Sequence, residues 1–274
     1  MDINKKKYSF VSRYDQVTIH GMCMIPENPK GIIQFVHGMN EHKERFYPFM
    51  EKMTQRGYIT LIHDNRGHGE SVKDERDIGY CYPAKEKGYV EDIYRATKNI
   101  RRAYPGLPVI LYGHSMGSLA VRAYLQEHDD AVDGLVVGGC PSYNDGVPFG
   151  ILLVNVLAAW KGERFRSDWM QGLVVNQFER RFRNEGRKSA WLAVKESVAE
   201  QFGKDPLCQF TYTMNGLLTL LHLEWIVYKQ AGYQMHQPEL PILFLSGEED
   251  PCYINKKKWK QAVYRMTELG YENV

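Results

Sequence analysis

Apolar residues fall along the chain in short continuous runs separated by longer amphipathic stretches. Gly31–Val36 reads as a continuous, mainly apolar run that suits a strand buried on both faces, and Tyr58–His63 as another buried strand. Thr18–Ile25 and residues 8–13 read as two further strands joined by the polar turn Tyr14-Asp15-Gln16. Residues 109–112 and 135–138 repeat the buried pattern, and 241–245 resumes it after a long gap. Between these runs, 37–56 reads as a loop and a helix. Residues 90–103 form an amphipathic helix stopped before Pro105, 118–127 another, and 255–269 a last one that meets Gly270. Strands alternating with helices predict an α/β fold, a mostly parallel sheet covered on both faces. From 143 to about 235 the alternation lapses into aromatic, Met and Leu residues at helical spacing. This predicts a helical cap, 143–235, inserted after the sixth strand of a core made of 1–142 and 236–274. Sheets of this kind bind ligands at the C-terminal ends of their strands, where the cap would sit.

Composition narrows the picture. Hydrophobic residues make up 43% of the 274, enough for a sizeable core. Thirty-five basic against 33 acidic residues leave a formal charge of +2, which gives no footing for nucleic acid or an acidic membrane. Lys5-Lys6-Lys7 and Lys256-Lys257-Lys258 read as solvated surface. The five cysteines, Cys23, Cys81, Cys140, Cys208 and Cys252, are scattered and form no C-x-x-C pair. They point to a reducing, cytoplasmic setting rather than a disulfide framework or zinc site. No apolar segment of a secretory signal follows the first lysines. The most apolar stretch, 151–160, is about half the length of a membrane span, which leaves a transient contact of the cap with a lipid surface.

The chemistry lies where the strand 109–112 runs into Gly113-His114-Ser115-Met116-Gly117. G-x-S-x-G is common by chance, but between a buried strand and a helix it marks a nucleophile elbow, with Ser115 on a strained turn. The backbone N–H of Met116, next after the nucleophile, is one expected oxyanion donor. The loop His37-Gly38-Met39-Asn40-Glu41-His42 supplies the second, the N–H of Met39. His37 is expected to brace that loop. Asp64-Asn65-Arg66-Gly67-His68-Gly69-Glu70-Ser71 lacks the ending of a phosphate loop and reads as a structural turn in which Asp64 and Arg66 bond neighbouring backbone. No metal site is expected, since H-E-x-x-H is absent and His63 and His68 have no partner at ligand spacing. No cofactor is implied. The acid should lie in Ser246-Gly247-Glu248-Glu249-Asp250-Pro251, with Asp250 preferred over Glu248 and Glu249.

Together these segments resemble the monoacylglycerol lipase and lysophospholipase branch of the α/β-hydrolases, the serine-aminopeptidase-like group with a helical cap. The likeness covers nearly the whole chain. It rests on His37-Gly38-Met39 with Glu41-His42, on Asp64 to Ser71, on the elbow, on Gly247 to Pro251, and on Asp205-Pro206-Leu207-Cys208 with Phe210-Thr211. It implies a carboxylic-ester hydrolase acting on a small lipid-like ester through an acyl-enzyme at Ser115, with Asp250 as acid. Phe149, Ile151, Leu152, Leu153, Trp160 and Trp169 of the cap are candidates to line an acyl pocket.

One part is missing. The fold orders its triad Ser, Asp, His, yet no histidine follows Asp250. The last, His236, precedes the strand 241–245, which spans roughly 16 Å. The expectation is a C-terminally truncated chain, lacking the final strand and helix and inactive as it stands. The alternatives are a catalytically dead lipid-binding or interaction module, or another serine hydrolase of this fold. An iminopeptidase would show a glycine-proline-rich oxyanion loop, and a dehalogenase an Asp nucleophile.

Overall fold

The computed structural model describes residues 3–229 and 232–274. Seven strands form one sheet: β1 (Asn4–Val11), β2 (Thr18–Ile25), β3 (Gly31–Val36), β4 (Tyr58–His63), β5 (Val109–His114), β6 (Gly134–Gly138) and β7 (Ile242–Leu245). Their order is β1-β2-β4-β3-β5-β6-β7. β1 and β2 run antiparallel, β2 meets β4 antiparallel, and the remaining pairs are parallel. The helices are α1 (Tyr47–Gln55), α2 (Lys85–Ala103), α3 (Met116–His128), α4 (Val147–Lys161), α5 (Asp168–Arg181), α6 (Glu196–Lys204), α7 (Met214–Lys229) and α8 (Lys256–Glu268). This is the α/β-hydrolase arrangement, with α4 to α7 inserted after the sixth strand.

Alternation within the central strands sorts side chains to the two faces. On β3, Ile32 and Val36 join α2 and α3 in the main core, while Phe35 packs with Phe46 and Met50 on the α1 side. The faces need not be wholly apolar. Gln34 is fully buried, donates to the Ile93 carbonyl at 3.0 Å and accepts from Thr97 at 2.8 Å.

The sequence misplaces several ends. β1 begins at Asn4 and stops at Val11, so Lys5, Lys6 and Lys7 stand exposed on an edge strand. Both faces of its first half meet water, which leaves no alternation to read, and edge lysines discourage pairing with another chain. α2 starts at Lys85, five residues early, because its first turn is polar. Lys256 and Lys257 are exposed at the start of α8, whereas Lys258 pairs with Asp145 at 2.8 Å.

α7 belongs to two clusters. Met214, Leu217 and Leu218 pack with Val154 and Met170 among the inserted helices, whereas Leu223 and Val227 join the sheet-facing core. It therefore ties the cap to the body. At the opposite sheet edge, β7 exposes Leu243 (53%) and Leu245 (48%). Beside its first residue the chain returns, and Ile242 N–H donates to the Asn273 carbonyl at 2.8 Å.

Arg66, in the turn after β4, is fully buried. It donates to Asp92 of α2 at 2.7 and 3.0 Å, to Asp15 at 2.7 Å and to Ser12 at 2.7 Å. The expected bonding of Arg66 to neighbouring backbone is thus corrected: besides the Cys81 carbonyl at 3.4 Å it reaches two carboxylates, one from the turn after β1 and one from α2, because a buried guanidinium needs counter-charge. Gly88 of α2 gives it room, since a Cβ there would lie 2.3 Å from the guanidinium. Replacing Arg66 with Met leaves two buried carboxylates without their cation and is expected to cost about 3–5 kcal/mol, measured by urea denaturation.

A second prediction concerns His63. It is buried, its Nδ1 finds no hydrogen-bond partner among the described residues, and burial lowers its pKa to about 4. The unfolded chain takes up that proton near pH 6.5 and the folded one only near 4, so stability falls as pH drops through that window, by up to about 1.4 kcal/mol per unit. Denaturation series at pH 7.5, 6 and 5 should show this slope, and His63→Leu should remove one histidine's share of it.

Candidate active site

The turn from β5 to α3 carries Ser115 at φ 52° and ψ −119°, a left-handed position that a side-chain-bearing residue adopts only under constraint. Local hydrogen bonds supply the constraint. Ser115 N–H donates to the Gly138 carbonyl at 2.9 Å, and Ser118 N–H to the Ser115 carbonyl at 2.8 Å. The flanking glycines are required by contact. A Cβ at Gly113 would lie 2.4 Å from the Gly117 carbonyl oxygen, and one at Gly117 would lie 2.3 Å from that of Val36.

The loop after β3 comes equally close. A Cβ on Gly38 would lie 3.0 Å from the Ser115 Cβ. Gly38 N–H is engaged by Glu41 Oε2 at 2.8 Å, which leaves the next residue, Met39, to line the cavity above Ser115 alongside Met116. Met116 opens α3, and the first N–H groups of a helix have no partner inside it. The same Glu41 oxygen lies 3.1 Å from His114 Nδ1, and Arg45 reaches Oε1 at 3.2 Å. Burial alone would raise the Glu41 pKa, but His114 and Arg45 hold it far below the ordinary range. The His114 pKa is raised by Glu41 against the effect of burial. His37 braces the loop as the sequence predicts. Its Nε2 accepts from Asn65 N–H at 2.9 Å, so Nδ1 carries the proton donated to the Gly38 carbonyl. Burial pushes its pKa down to about 3.

Asp64 bonds backbone as expected, accepting from Lys43 N–H at 2.7 Å and Glu70 N–H at 2.9 Å. It also takes the Lys43 ammonium at 2.7 Å. The motif around Asp205 acquires a reason: His42 Nε2 and Asp205 Oδ2 are 2.8 Å apart, and Asn40 Nδ2 donates to the Phe210 carbonyl at 2.7 Å. The loop after β3 is thereby bonded to the cap. Cys208 stands beside the His42–Asp205 pair, the three potential ligand atoms all within 4.8 Å of one another, a His/Asp/Cys grouping that sequence spacing does not reveal. Burial pushes the Cys208 thiol up to about 12.

Asp250 ends the loop after β7. Ser246 donates to its Oδ2 at 2.6 Å and Cys252 N–H to its Oδ1 at 2.8 Å. Glu248 and Glu249 are exposed. His114 Nε2 and Asp250 Oδ2 flank Gly139, at 3.2 and 3.6 Å from where its Cβ would stand. Cys252, whose N–H bonds Asp250, lines the same cavity as Ser115, and its thiol is held protonated first of all by burial and then by Asp250. Nothing in the sequence pattern singles it out. None of the nine histidines lines the cavity at Ser115. His236 instead pairs with Asp129 at 2.8 Å.

The cavity over Ser115 has a volume of about 630 Å³. Of the cap residues expected in it, Phe149 and Leu153 line it. Ile151, Leu152, Trp160 and Trp169 do not, which corrects that expectation. Ile151 packs into the cap cluster, while Leu152 (61% exposed), Trp160 (76%) and Trp169 (63%) face solvent. Helical spacing marks them as apolar without saying which way each face turns. Val174 and Phe178 of α5 and Leu217 and Leu220 of α7 contribute walls instead.

Among known proteins, the model of the family described as serine aminopeptidase, S33 matches residues 27–269. A monoglyceride lipase homolog of monkeypox virus is 34% identical over 33% of this chain and 31% of its own length. The mouse monoglyceride lipase is 29% identical over 81% of this chain and 66% of its own length. The chain thus spans about a third to two thirds of such relatives. A thermostable carboxyl esterase from Bacillus coagulans, solved in complex with glycerol, superposes with a TM-score of 0.87 over 98% of this chain and 88% of its own, at 20% identity. With the strand order, the elbow and the family model in agreement over most of its length, the chain belongs to the serine aminopeptidase S33 family of α/β-hydrolases.

Proposed function

We propose that this fold is built to hydrolyse carboxylic esters of single-chain lipids, an acyl glycerol or lysophospholipid, through an acyl-enzyme at Ser115. The observation that carries this reading is Ser115 itself, held at positive φ on the elbow and opening into a cavity walled mainly by the cap. Ser115 Oγ attacks the ester carbonyl, and the Met39 and Met116 N–H groups receive the developing oxyanion. In a complete triad Asp250 would orient a histidine that takes the serine proton and would stabilise its imidazolium form. The monoglyceride lipase names of the relatives support the substrate class.

The chain holds no such histidine, and the protonated Cys252 thiol cannot replace it as base. Turnover of p-nitrophenyl esters is therefore expected to lie about 10⁶-fold below that of a complete triad. A strand continuing from Asn273 along the open edge of β7 would cover that edge and carry a histidine back towards Asp250. The test compares this chain with one extended by a family-like strand, histidine and helix. The extended chain should turn over esters and lose that activity on Ser115→Ala. Full turnover by the unextended chain, abolished by Ser115→Ala, would place the base elsewhere. Inactivity of both would overturn the hydrolase reading in favour of a lipid-binding module.

The outer face of the cap is proposed to rest on lipid. Phe149, Leu152, Val156 and Trp160 form one exposed apolar stripe along α4, with Trp169 and Leu173 of α5 exposed as well. No helix among the described residues is long and apolar enough to cross a membrane. The five cysteines are free, which fits a reducing cytoplasm. Phosphatidylcholine vesicles should co-sediment the native chain, and replacing Leu152 and Trp160 with Ser should weaken that binding about tenfold or more, with the melting temperature little changed.

A further inference from the structure

The cavity contains a carboxyl group that the chemistry at Ser115 does not use. Glu224, on α7, is nine-tenths buried and lines the cavity beside Leu220, Leu221 and Val147. Its Oε1 accepts the Asn144 N–H at 2.7 Å. No residue among those described hydrogen-bonds Oε2, and the side chain forms part of the cavity wall. A carboxylate oxygen with no protein partner in a mostly apolar cavity is free to accept a hydrogen bond from a ligand group that enters there. An acyl pocket meant only for hydrocarbon would be better served by leucine at this position.

We infer that Glu224 anchors the ligand's polar head: Oε2 receives a hydroxyl group, selecting monoesters of polyols over esters of simple alcohols. This rests on the reading of the cavity as the ester-binding pocket. Desolvation raises the Glu224 pKa to about 7, partly offset by the Asn144 N–H, Arg122 and Lys258. The other titratable groups around it are Cys140 and Tyr143, both with raised pKa values and neutral at that pH, while Lys258 is engaged by Asp145. A hydroxyl donor stabilises the carboxylate, so a ligand that brings one binds with release of a proton and gains affinity as pH rises. A ligand without one deepens the desolvation and favours the neutral acid, so its affinity falls as pH rises.

The experiment titrates the full chain with 1-O-dodecylglycerol and with dodecyl methyl ether below their micellar concentrations, by calorimetry at pH 6, 7 and 8. Both are ethers, so turnover does not interfere. The glycerol ether should bind about 10- to 100-fold more tightly. Between pH 6 and 8 its affinity should rise by up to about tenfold, while that of the methyl ether falls by a similar factor. Glu224→Gln, which keeps the bond to Asn144, should flatten both pH dependences. Glu224→Leu should bring the two ligands to within about twofold of each other. A preference for the glycerol ether that survives Glu224→Leu, or equal binding of both ligands to the native chain, would overturn the role of Glu224 and leave the pocket reading intact. If neither ligand binds the native chain, the pocket reading fails and the inference with it.

Discussion

Where α3 leaves β5, two backbones touch. Gly117 lies so close to the end of β3 that a single added carbon would meet the Val36 and His37 carbonyl oxygens at 2.3 and 2.6 Å. The contact brings the loop after β3 against the nucleophile, with Gly38 facing the Ser115 Cβ. It requires β3 and β5 to be neighbours, which the parallel register from Ile32↔Val109 to Val36↔Gly113 provides. The left-handed backbone at Ser115 costs about 1–3 kcal/mol. It persists because the bond from Ser115 N–H to Gly138 and the packing of α3 overdetermine it. If that approach were relaxed, Met39 and Met116 would no longer face one cavity.

Around this contact lies a shell of buried charge. Glu41 pairs with His114 and with nearby Arg45, while Asp64 with Lys43 and Arg66 with Asp92 and Asp15 join segments further apart in sequence. Such pairs add little net stability over apolar packing, but losing one partner is costly. They therefore specify the loop conformations more than they strengthen the fold. The same shell reaches the cap through His42 with Asp205 and Asn40 with Phe210. A Tyr212–His68 hydrogen bond joins the cap to the turn after β4. The roof of the cavity and the loop expected to hold the oxyanion are fastened to each other, so displacement of one strains the other.

Much of this was legible in the chain. The central strands were, because burial on both faces leaves continuous apolar runs whose length alone distinguishes them. Ser115 was, because a strand running into Gly-x-Ser-x-Gly and then a helix admits few other geometries. Asp250 was singled out by its place after the last apolar run, and it is the half-buried acid there while Glu248 and Glu249 are exposed. The absence of a histidine after it could also be read directly.

Facing and partnership could not be read. In α4 and α5 apolar residues stand on every side, so periodicity did not separate Leu153, which lines the cavity, from Leu152, which faces water. Nor could spacing find Cys252 in the cavity with Ser115, Asp205 against His42, or Glu224 in the cavity wall, since each meets its neighbours only when separate segments of the chain fold together. Local pattern is fixed by the chain's own covalent period, 2 for a strand and 3.6 for a helix, and therefore shows in the sequence. Contacts across more than a hundred residues depend on how the finished elements pack, and only the tertiary structure decided them.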